Sequence, residues 1–205
     1  MDFGKLPNIS RVDFLNAFQN AAAARVDLKQ GAINPPSVTL GCPIWAQKDW
    51  IGKIYPLGTQ PKDYLHHYSR QFNGIELNVT HYRIPTPEAV LEWKKQVPEG
   101  FRFCPKFPQE ISHDHALREC VPLTTMFCDS LLNLGDALGT SFLQLPPYFA
   151  PPQLGVLEQF LRTVPPVFPV TVEFRHPDWF RGNELLPSAR DVLQAAGAGT
   201  VITDV

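Results

Sequence analysis

The 205-residue chain lacks the features that mark several large classes of protein. It has no excess of charge of either sign, because 18 basic residues face 20 acidic ones and the formal net charge is −2. Such a balance argues against a broad basic surface for nucleic acid, although it leaves room for a local basic patch. Residues 1–37 contain no long apolar run and no signal-peptide pattern, which predicts a cytoplasmic protein with no membrane association.

Motifs for common cofactors and nucleophiles are also absent. The four cysteines, Cys42, Cys104, Cys120 and Cys128, show no Cys-x-x-Cys spacing and are expected to be free thiols. No Gly-x-Gly-x-x-Gly or Gly-x-x-x-x-Gly-Lys-Ser/Thr run follows a predicted strand, which removes the usual indication of a nucleotide-binding open sheet. No Gly-x-Ser-x-Gly occurs, so covalent serine chemistry is not expected.

What the chain does contain is a regular alternation of short β-like runs and amphipathic helical stretches. The predicted strands are 38–42, 74–80, 101–107, 141–145, 170–176 and 200–205. The predicted helices lie between them, at 64–72, 86–97, 127–138, 154–164 and 184–196, with Gly139 as a C-cap of the third. This order is typical of βα units and a parallel sheet. Right-handed crossovers then leave an open doubly wound sheet or a (β/α)₈ barrel.

The distribution of polar residues within the strands favours the barrel. The strand at 170–176 presents Val170, Val172 and Phe174 on one side and Thr171, Glu173 and Arg175 on the other. The strands at 74–80 and 101–107 alternate in the same way. An open sheet covered by helices on both faces should be apolar on both. The predicted fold class is therefore a TIM-type (β/α) barrel with about six of its eight βα units present.

These polar residues lie toward the C-terminal ends of the strands, where such barrels place their active sites. Because a buried carboxylate needs a cation, a donor or a metal beside it, we expect the polar residues to converge on one pocket. The predicted catalytic residues are Glu76, Glu173, Lys106 and His176. The predicted substrate-binding residues are Trp45, Asn78, Tyr82, Arg83, His113, Gln144, Arg175, Trp179 and Asp204.

Three kinds of function remain open at this point. The first is an enzyme of hydrolase or isomerase type that acts on a small anionic or sugar-like metabolite by acid/base chemistry. The second is a metal-dependent phosphodiesterase or nucleic-acid-binding barrel, and the third is a non-catalytic ligand-binding module. The side chains that could bind a divalent metal are His81, His113, His115, His176, Glu76, Glu173 and Asp204. No His-Glu-x-x-His-like run indicates which of them would form a ligand set. The metal, the cofactor and the oligomeric state stay unknown, and a small molecule is favoured over nucleic acid as partner.

The order of motifs resembles the YecE-like family, also called domain of unknown function 72. The motifs are LGCPIWAQKDWIGKIYP, FNGIELNVTHYRIP, WKKQVPEGFRFCPKF, ISH, LGTSFLQLPPYF and VTVEFRHPDWF, between about residues 38 and 205. The resemblance implies a TIM-type barrel without an established activity. It places motif positions at Trp45, Glu76, Asn78, Tyr82, Arg83, Lys106, His113, Gln144, Pro146, Glu173, Arg175, His176 and Trp179.

The chain departs from the family in two places. The first motif reads Gly41-Cys42-Pro43-Ile44-Trp45, where the family more often has Gly-Thr-Ser-Gly-Trp. Members of the family also continue beyond the sixth strand. The resemblance therefore implies a barrel domain at 38–205 that is truncated at its C-terminus, after an N-terminal extension or linker at 1–37.

Overall fold

The computed structural model describes residues 38–203, and its elements alternate between strands and helices. The strands are β1 (Gly74–Leu77), β2 (Arg102–Pro105), β3 (Ser141–Gln144), β4 (Val170–Glu173), β5 (Phe180–Arg181), β6 (Glu184–Leu185) and β7 (Gly199–Thr200). The helices are α1 (Tyr64–Tyr68), α2 (Val79–Tyr82), α3 (Pro87–Gln96), α4 (Val121–Leu132), α5 (Leu154–Leu161) and α6 (Pro187–Ala195). A π-helical turn at Glu110–Asp114 follows β2.

The parallel strands lie side by side in the order β1, β2, β3, β4 and β7. β1 pairs with β2, β3 pairs with β4, and β7 pairs with the other side of β4. β2 and β3 are neighbours as well, since the Phe107 N–H donates to the Phe142 carbonyl at 3.0 Å. Only the short hairpin of β5 and β6 is antiparallel among the described strands. Each parallel neighbour is reached by a crossover that carries helix, which is the βα architecture.

The described strands form small sheets, and within residues 38–203 they do not close into a barrel. The segment predicted as the first strand, 38–42, has no strand assignment, yet it lies against β1. The Gly74 N–H donates to the Leu40 carbonyl and the Glu76 N–H to the Cys42 carbonyl, each at 3.2 Å. The prediction of an α/β fold with parallel βα units is therefore confirmed.

The apolar side of the sheet is packed beneath the helices. Phe103 and Phe107 of the β2 region are fully buried, and the Phe107 ring centroid lies 4.8 Å from that of Phe127 in α4. Helix α3 begins where the sequence predicts, because the Thr86 hydroxyl accepts from the Ala89 N–H at 3.3 Å and Pro87 occupies the first turn. Because successive side chains of a strand point to opposite faces, the residues between these rings face the other side of the sheet.

The strand predicted at 74–80 is too long. β1 ends at Leu77 and α2 begins at Val79, so Val79 is half-exposed instead of joining the apolar face, and Thr80 is fully buried. The physical reason lies in the Thr80 hydroxyl, which is 2.7 Å from the carbonyls of both Leu77 and Lys106. A side-chain hydroxyl that bonds to the nearby backbone competes with the strand ladder, and here it turns the chain.

The prediction for the third helix, 127–138 with Gly139 as its C-cap, is also wrong. Helix α4 spans Val121–Leu132, and Gly139 lies where the chain comes against β2. Its N–H donates to the Phe103 carbonyl at 2.7 Å, and a Cβ at this position would lie 2.8 Å from the Cys104 sulfur. The glycine is needed for this close approach of two strands and not for a helix end.

Candidate functional site

A continuous chain of polar contacts crosses the C-terminal ends of β2, β3 and β4. The Lys106 ammonium donates to Gln144 Oε1 at 3.1 Å. The Gln144 amide nitrogen lies 3.0 and 2.9 Å from the two carboxylate oxygens of Glu173. Arg175 forms an ion pair with Glu173 through its Nε atom. The network therefore alternates cation, amide, carboxylate and cation across three neighbouring strands.

Glu173 is the buried centre of this network, with 4% of its surface exposed. A carboxylate without partners would be costly at such a depth, but Gln144 donates to it and Arg175 forms an ion pair with it. The position follows from register, because Gln144 lies directly opposite Glu173 in the parallel ladder of β3 and β4. The two carboxylate oxygens are thereby held in fixed directions.

The charge of Lys106 interacts with two carboxylates, the buried one of Glu173 and that of Glu76. Burial lowers the pKa of Lys106 from its ordinary value, while the charges of Glu173 and Glu76 act to raise it and the charge of Arg175 adds to the lowering. Its Nζ atom also lies 5.6 Å from the ring centroid of Phe142. The charges of both predicted catalytic carboxylates therefore act on the same ammonium group.

Glu76 occupies the exposed part of the same polar face. Its carboxylate accepts a hydrogen bond from the Asn78 amide at 3.0 Å. Cys104 lies opposite Glu76 in the β1–β2 ladder, and the pKa of its thiol is raised mainly by burial and also by the charge of Glu76. Glu76 therefore reaches solvent, whereas Glu173 lies behind its partners.

Two histidines lie close enough to Lys106 for its positive charge to act on them. The His81 Nδ1 atom is 2.8 Å from the Phe107 carbonyl, and the His113 Nδ1 atom is 2.8 Å from the Ser112 hydroxyl. The two imidazole rings meet edge to face, with centroids 5.5 Å apart. Burial lowers the pKa of both histidines, and the charge of Lys106 lowers both further.

Tyrosines flank this histidine pair on its exposed side. Tyr82 is 80% exposed and its ring centroid lies 5.4 Å from that of His81. The Tyr148 hydroxyl donates to the His113 carbonyl. Arg83, which follows Tyr82, is exposed. The predicted residues Tyr82 and His113 thus both contact His81, which is bound to the Phe107 carbonyl next to Lys106.

Trp179 is placed elsewhere, in the core. It has no exposed surface, its indole N–H donates to the Phe149 carbonyl at 2.7 Å, and its ring stacks on Phe149 with centroids 6.4 Å apart. A ligand cannot stack on a ring that has both faces covered by protein. The structure therefore corrects the binding role predicted for Trp179: its amphipathic ring is used for packing.

Trp45 and His176 have structural contacts of their own. Trp45 meets Trp93 of α3 edge to face at 5.8 Å, and Trp93 in turn packs on Phe103 of the apolar face. The His176 Nδ1 atom accepts from the Asp178 N–H at 3.2 Å, which caps the short turn at Pro177–Trp179. Asp204 lies outside the described residues. The other catalytic and binding roles assigned from the sequence stay predictions.

Sequence reasoning gave too little weight to two neighbours of Lys106. The sequence indicates His81 as a possible metal ligand in the loop after the second predicted strand, but does not single it out as a catalytic or binding residue. The sequence gives no indication of the Phe142 contact, because the alternation of a strand does not say which ring a lysine on the next strand will lie over. Both contacts depend on the pairing of separate strands.

The described residues form few other binding features. No three His, Cys, Asp or Glu side chains between residues 38 and 203 come together as a metal site. Two cavities of about 380 Å³ lie away from the polar network, one lined by 52–57 with His67, Arg70 and Gln71, the other by 117–121 and parts of 156–163. No helix in the described part of the chain is long and apolar enough to cross a membrane.

Parallel βα units in chain order, with a polar network at the carboxyl ends of the strands, define an α/β protein of the βα-unit class. Within that class the chain belongs to the DUF72 family, since residues 39–205 match the family described as "Protein of unknown function DUF72". The resemblance seen in the sequence motifs is therefore confirmed.

Relatives and solved structures agree with this assignment. UPF0759 protein YecE of Escherichia coli strain K12 is 39% identical over 167 residues, which cover 82% of this chain and 59% of that protein. The protein of the same description from Escherichia coli O157:H7 matches equally. The chain spans about three fifths of the length of these curated relatives.

Two crystal structures of a DUF72 family protein from Enterococcus faecalis V583 resemble the chain. One has a TM-score of 0.65 at 23% identity and covers 80% of this chain and 60% of that one. The other has a TM-score of 0.62 at 22% identity and covers 81% and 62%. At such low identity the likeness shows the shared fold alone.

Proposed function

We propose that the polar network at the strand ends binds a small anionic or sugar-like metabolite and acts on it by acid/base chemistry, as a hydrolase or isomerase does. The observation that carries this proposal is the Lys106–Gln144–Glu173–Arg175 chain of contacts. The carboxyl ends of parallel strands are where α/β enzymes commonly hold their ligands, and the buried carboxylate lies there with two cations.

In this proposal each of these residues has a separate role. Lys106 and Arg175 would attract the anionic group of the ligand, and Glu173 would hold both cations in position. Glu76 is the carboxylate that reaches solvent on the same face, so it is the one able to exchange a proton with a bound molecule. Its hydrogen bond from Asn78 fixes its orientation.

We infer further that the parallel units are part of a TIM-type barrel. The neighbour order of the strands and the polar side of each strand support this proposal. The cytoplasmic location and the division of the chain into 1–37 and 38–205 stay predictions.

The first experiment is a thermal-shift screen of the full chain against phosphorylated sugars, hydroxy acids, free sugars, divalent cations and short DNA duplexes. A compound that raises the melting temperature of the wild type is then titrated against Lys106→Met. We expect binding to weaken about tenfold or more, because a charge-assisted contact contributes roughly 1.5–3 kcal/mol. Lys95→Met is the matched control, since Lys95 is an exposed lysine that pairs with exposed Glu92.

The second experiment separates turnover from capture. Each compound that binds is incubated with the wild type and with Glu76→Gln, and its conversion is followed by proton NMR. We expect Glu76→Gln to keep binding and lose conversion. Binding without conversion by the wild type would indicate a ligand-binding module instead. Equal affinities of wild type, Lys106→Met and Glu173→Gln would place the ligand outside the network and refute the proposal.

A further inference from the structure

Helix α2 holds His81 against the end of β2 by two side-chain contacts. The Thr80 hydroxyl reaches the Lys106 carbonyl at 2.7 Å, and His81 Nδ1 reaches the carbonyl of the next residue, Phe107, at 2.8 Å. These contacts bring His81 to the backbone of Lys106 and Phe107, close enough for the positive charge of Lys106 to act on the imidazole. His81 is therefore a neighbour of the polar network through the backbone of Lys106 and Phe107.

The contact with Phe107 also decides which nitrogen of His81 carries the proton. A carbonyl oxygen can only accept, so Nδ1 must donate, and in the neutral ring Nε2 then has the free lone pair. His176 shows the opposite arrangement, because its Nδ1 accepts from the Asp178 N–H. Neutral His176 therefore carries its proton on Nε2. Of these two, His81 is the histidine whose Nε2 is available as a base.

We propose that His81 is a further catalytic residue of the site, with Nε2 as the proton acceptor for the ligand that Lys106 holds. This inference rests on the function proposed above. A hydroxyl group of the ligand would transfer its proton to Nε2, so that the O–H bond breaks and an N–H bond forms. The electron pair stays on the ligand oxygen, beside the Lys106 ammonium, and the proton returns from Nε2 when the product forms.

The surroundings of His81 suit this role. Burial and Lys106 lower its pKa, while the hydrogen bond to Phe107 and the charge of Asp114 act against that lowering. His113, from the turn after β2, meets the ring edge to face, and Tyr82 lies beside it on α2. A lowered pKa keeps the imidazole uncharged near neutral pH, which a proton acceptor requires.

The tautomer and accessibility of Nε2 can be measured without knowing the ligand. Nitrogen-15 NMR of the full chain with labelled histidine should show the Nδ1–H form for His81 and the Nε2–H form for His176. Diethyl pyrocarbonate, which acylates an unprotonated imidazole nitrogen, should modify His81. Trypsin releases residues 71–83, in which His81 is the one histidine, so mass spectrometry reads this site alone.

The dependence of this modification on pH tests the environment of His81. A histidine with an ordinary pKa of about 6.5 reacts about tenfold more slowly at pH 5.5 than at pH 7.5. We expect a smaller fall for His81, and a larger one in Lys106→Met, because removing the positive charge raises the pKa of His81. An Nε2–H tautomer, or a His81 that resists the reagent at pH 7.5, would overturn the inference and leave metabolite binding unaffected.

For a compound converted by the wild type, His81→Asn separates a catalytic role from a structural one. The asparagine amide still offers an N–H to the Phe107 carbonyl but has no basic nitrogen. We expect unchanged stability, with kcat reduced about 100-fold or more and KM little altered. A kcat within about twofold of wild type would exclude His81 as the proton acceptor while the proposed function stands.

Discussion

Gln144 and Glu173 lie directly opposite each other on adjacent parallel strands, and the amide of Gln144 contacts both oxygens of the Glu173 carboxylate. The same amide group accepts from Lys106 through its oxygen. Gln144 thus connects an ammonium group on one side to a buried carboxylate on the other. A side chain with both a donor and an acceptor is needed at this position.

Replacing Gln144 should therefore reveal how much the network contributes to stability. In Gln144→Leu the buried Glu173 loses two donor contacts, and Lys106 loses its acceptor. We expect the free energy of unfolding to fall by about 1–3 kcal/mol, the usual cost of leaving a buried polar group without a partner. Urea unfolding followed by circular dichroism measures it. Gln159→Leu, at an exposed position on α5, is the control and should change stability by less than about 0.5 kcal/mol.

The histidine pair predicts the direction of a pH effect on stability. Because the folded pKa values of His81 and His113 lie below the ordinary value, the unfolded chain binds more protons than the folded one as the pH falls from about 6.5. Stability should be full above that pH and decrease as the pH falls toward the lowered folded values. Urea midpoints measured between pH 7.5 and 5.5 test this. The double variant His81→Asn, His113→Asn should flatten the curve, and an unchanged slope would contradict the prediction.

Trp179 should matter for stability and not for ligand binding. Trp179→Phe removes the hydrogen bond to the Phe149 carbonyl and part of a fully buried ring. We expect a loss of about 1–3 kcal/mol in urea unfolding. The affinity for any ligand found in the screen should stay the same, as measured by titration. Tyr82 is exposed where Trp179 is buried. We therefore expect Tyr82→Phe to change the free energy of unfolding by less than about 0.5 kcal/mol.

The cysteines should differ in their accessibility. All four are free thiols, as predicted from their spacing, and Cys120 and Cys128 are buried. Burial raises the pKa of Cys128 to about 12, which further suppresses its thiolate. A thiol-reactive disulfide reagent at pH 8 should leave these two unmodified in the native protein and modify all four in guanidinium chloride. Rapid reaction of Cys128 in the native protein would show that α4 opens more readily than the structure indicates.

Local sequence rules were enough for part of this protein. The alternation around Glu173 predicts correctly that Val172 and Phe174 enter the core, because successive side chains of a strand point to opposite sides. The Thr86–Pro87 pair predicts the start of α3, because a cap needs only residues within one helical turn. The order of the motifs predicts the family.

Tertiary structure decided what depends on partners far along the chain. Thr80 ends β1 because a carbonyl at Lys106 is within reach of its hydroxyl, and Gly139 is required because β2 passes close to it. Trp179 became part of the core because the Phe149 carbonyl could accept its indole N–H. The proton on His81 was placed by the Phe107 carbonyl, 26 residues away. The sequence by itself determined which residues are polar and on which side of a strand they lie. Only the folded chain could determine which of them meet, because a hydrogen bond needs both partners within about 3 Å.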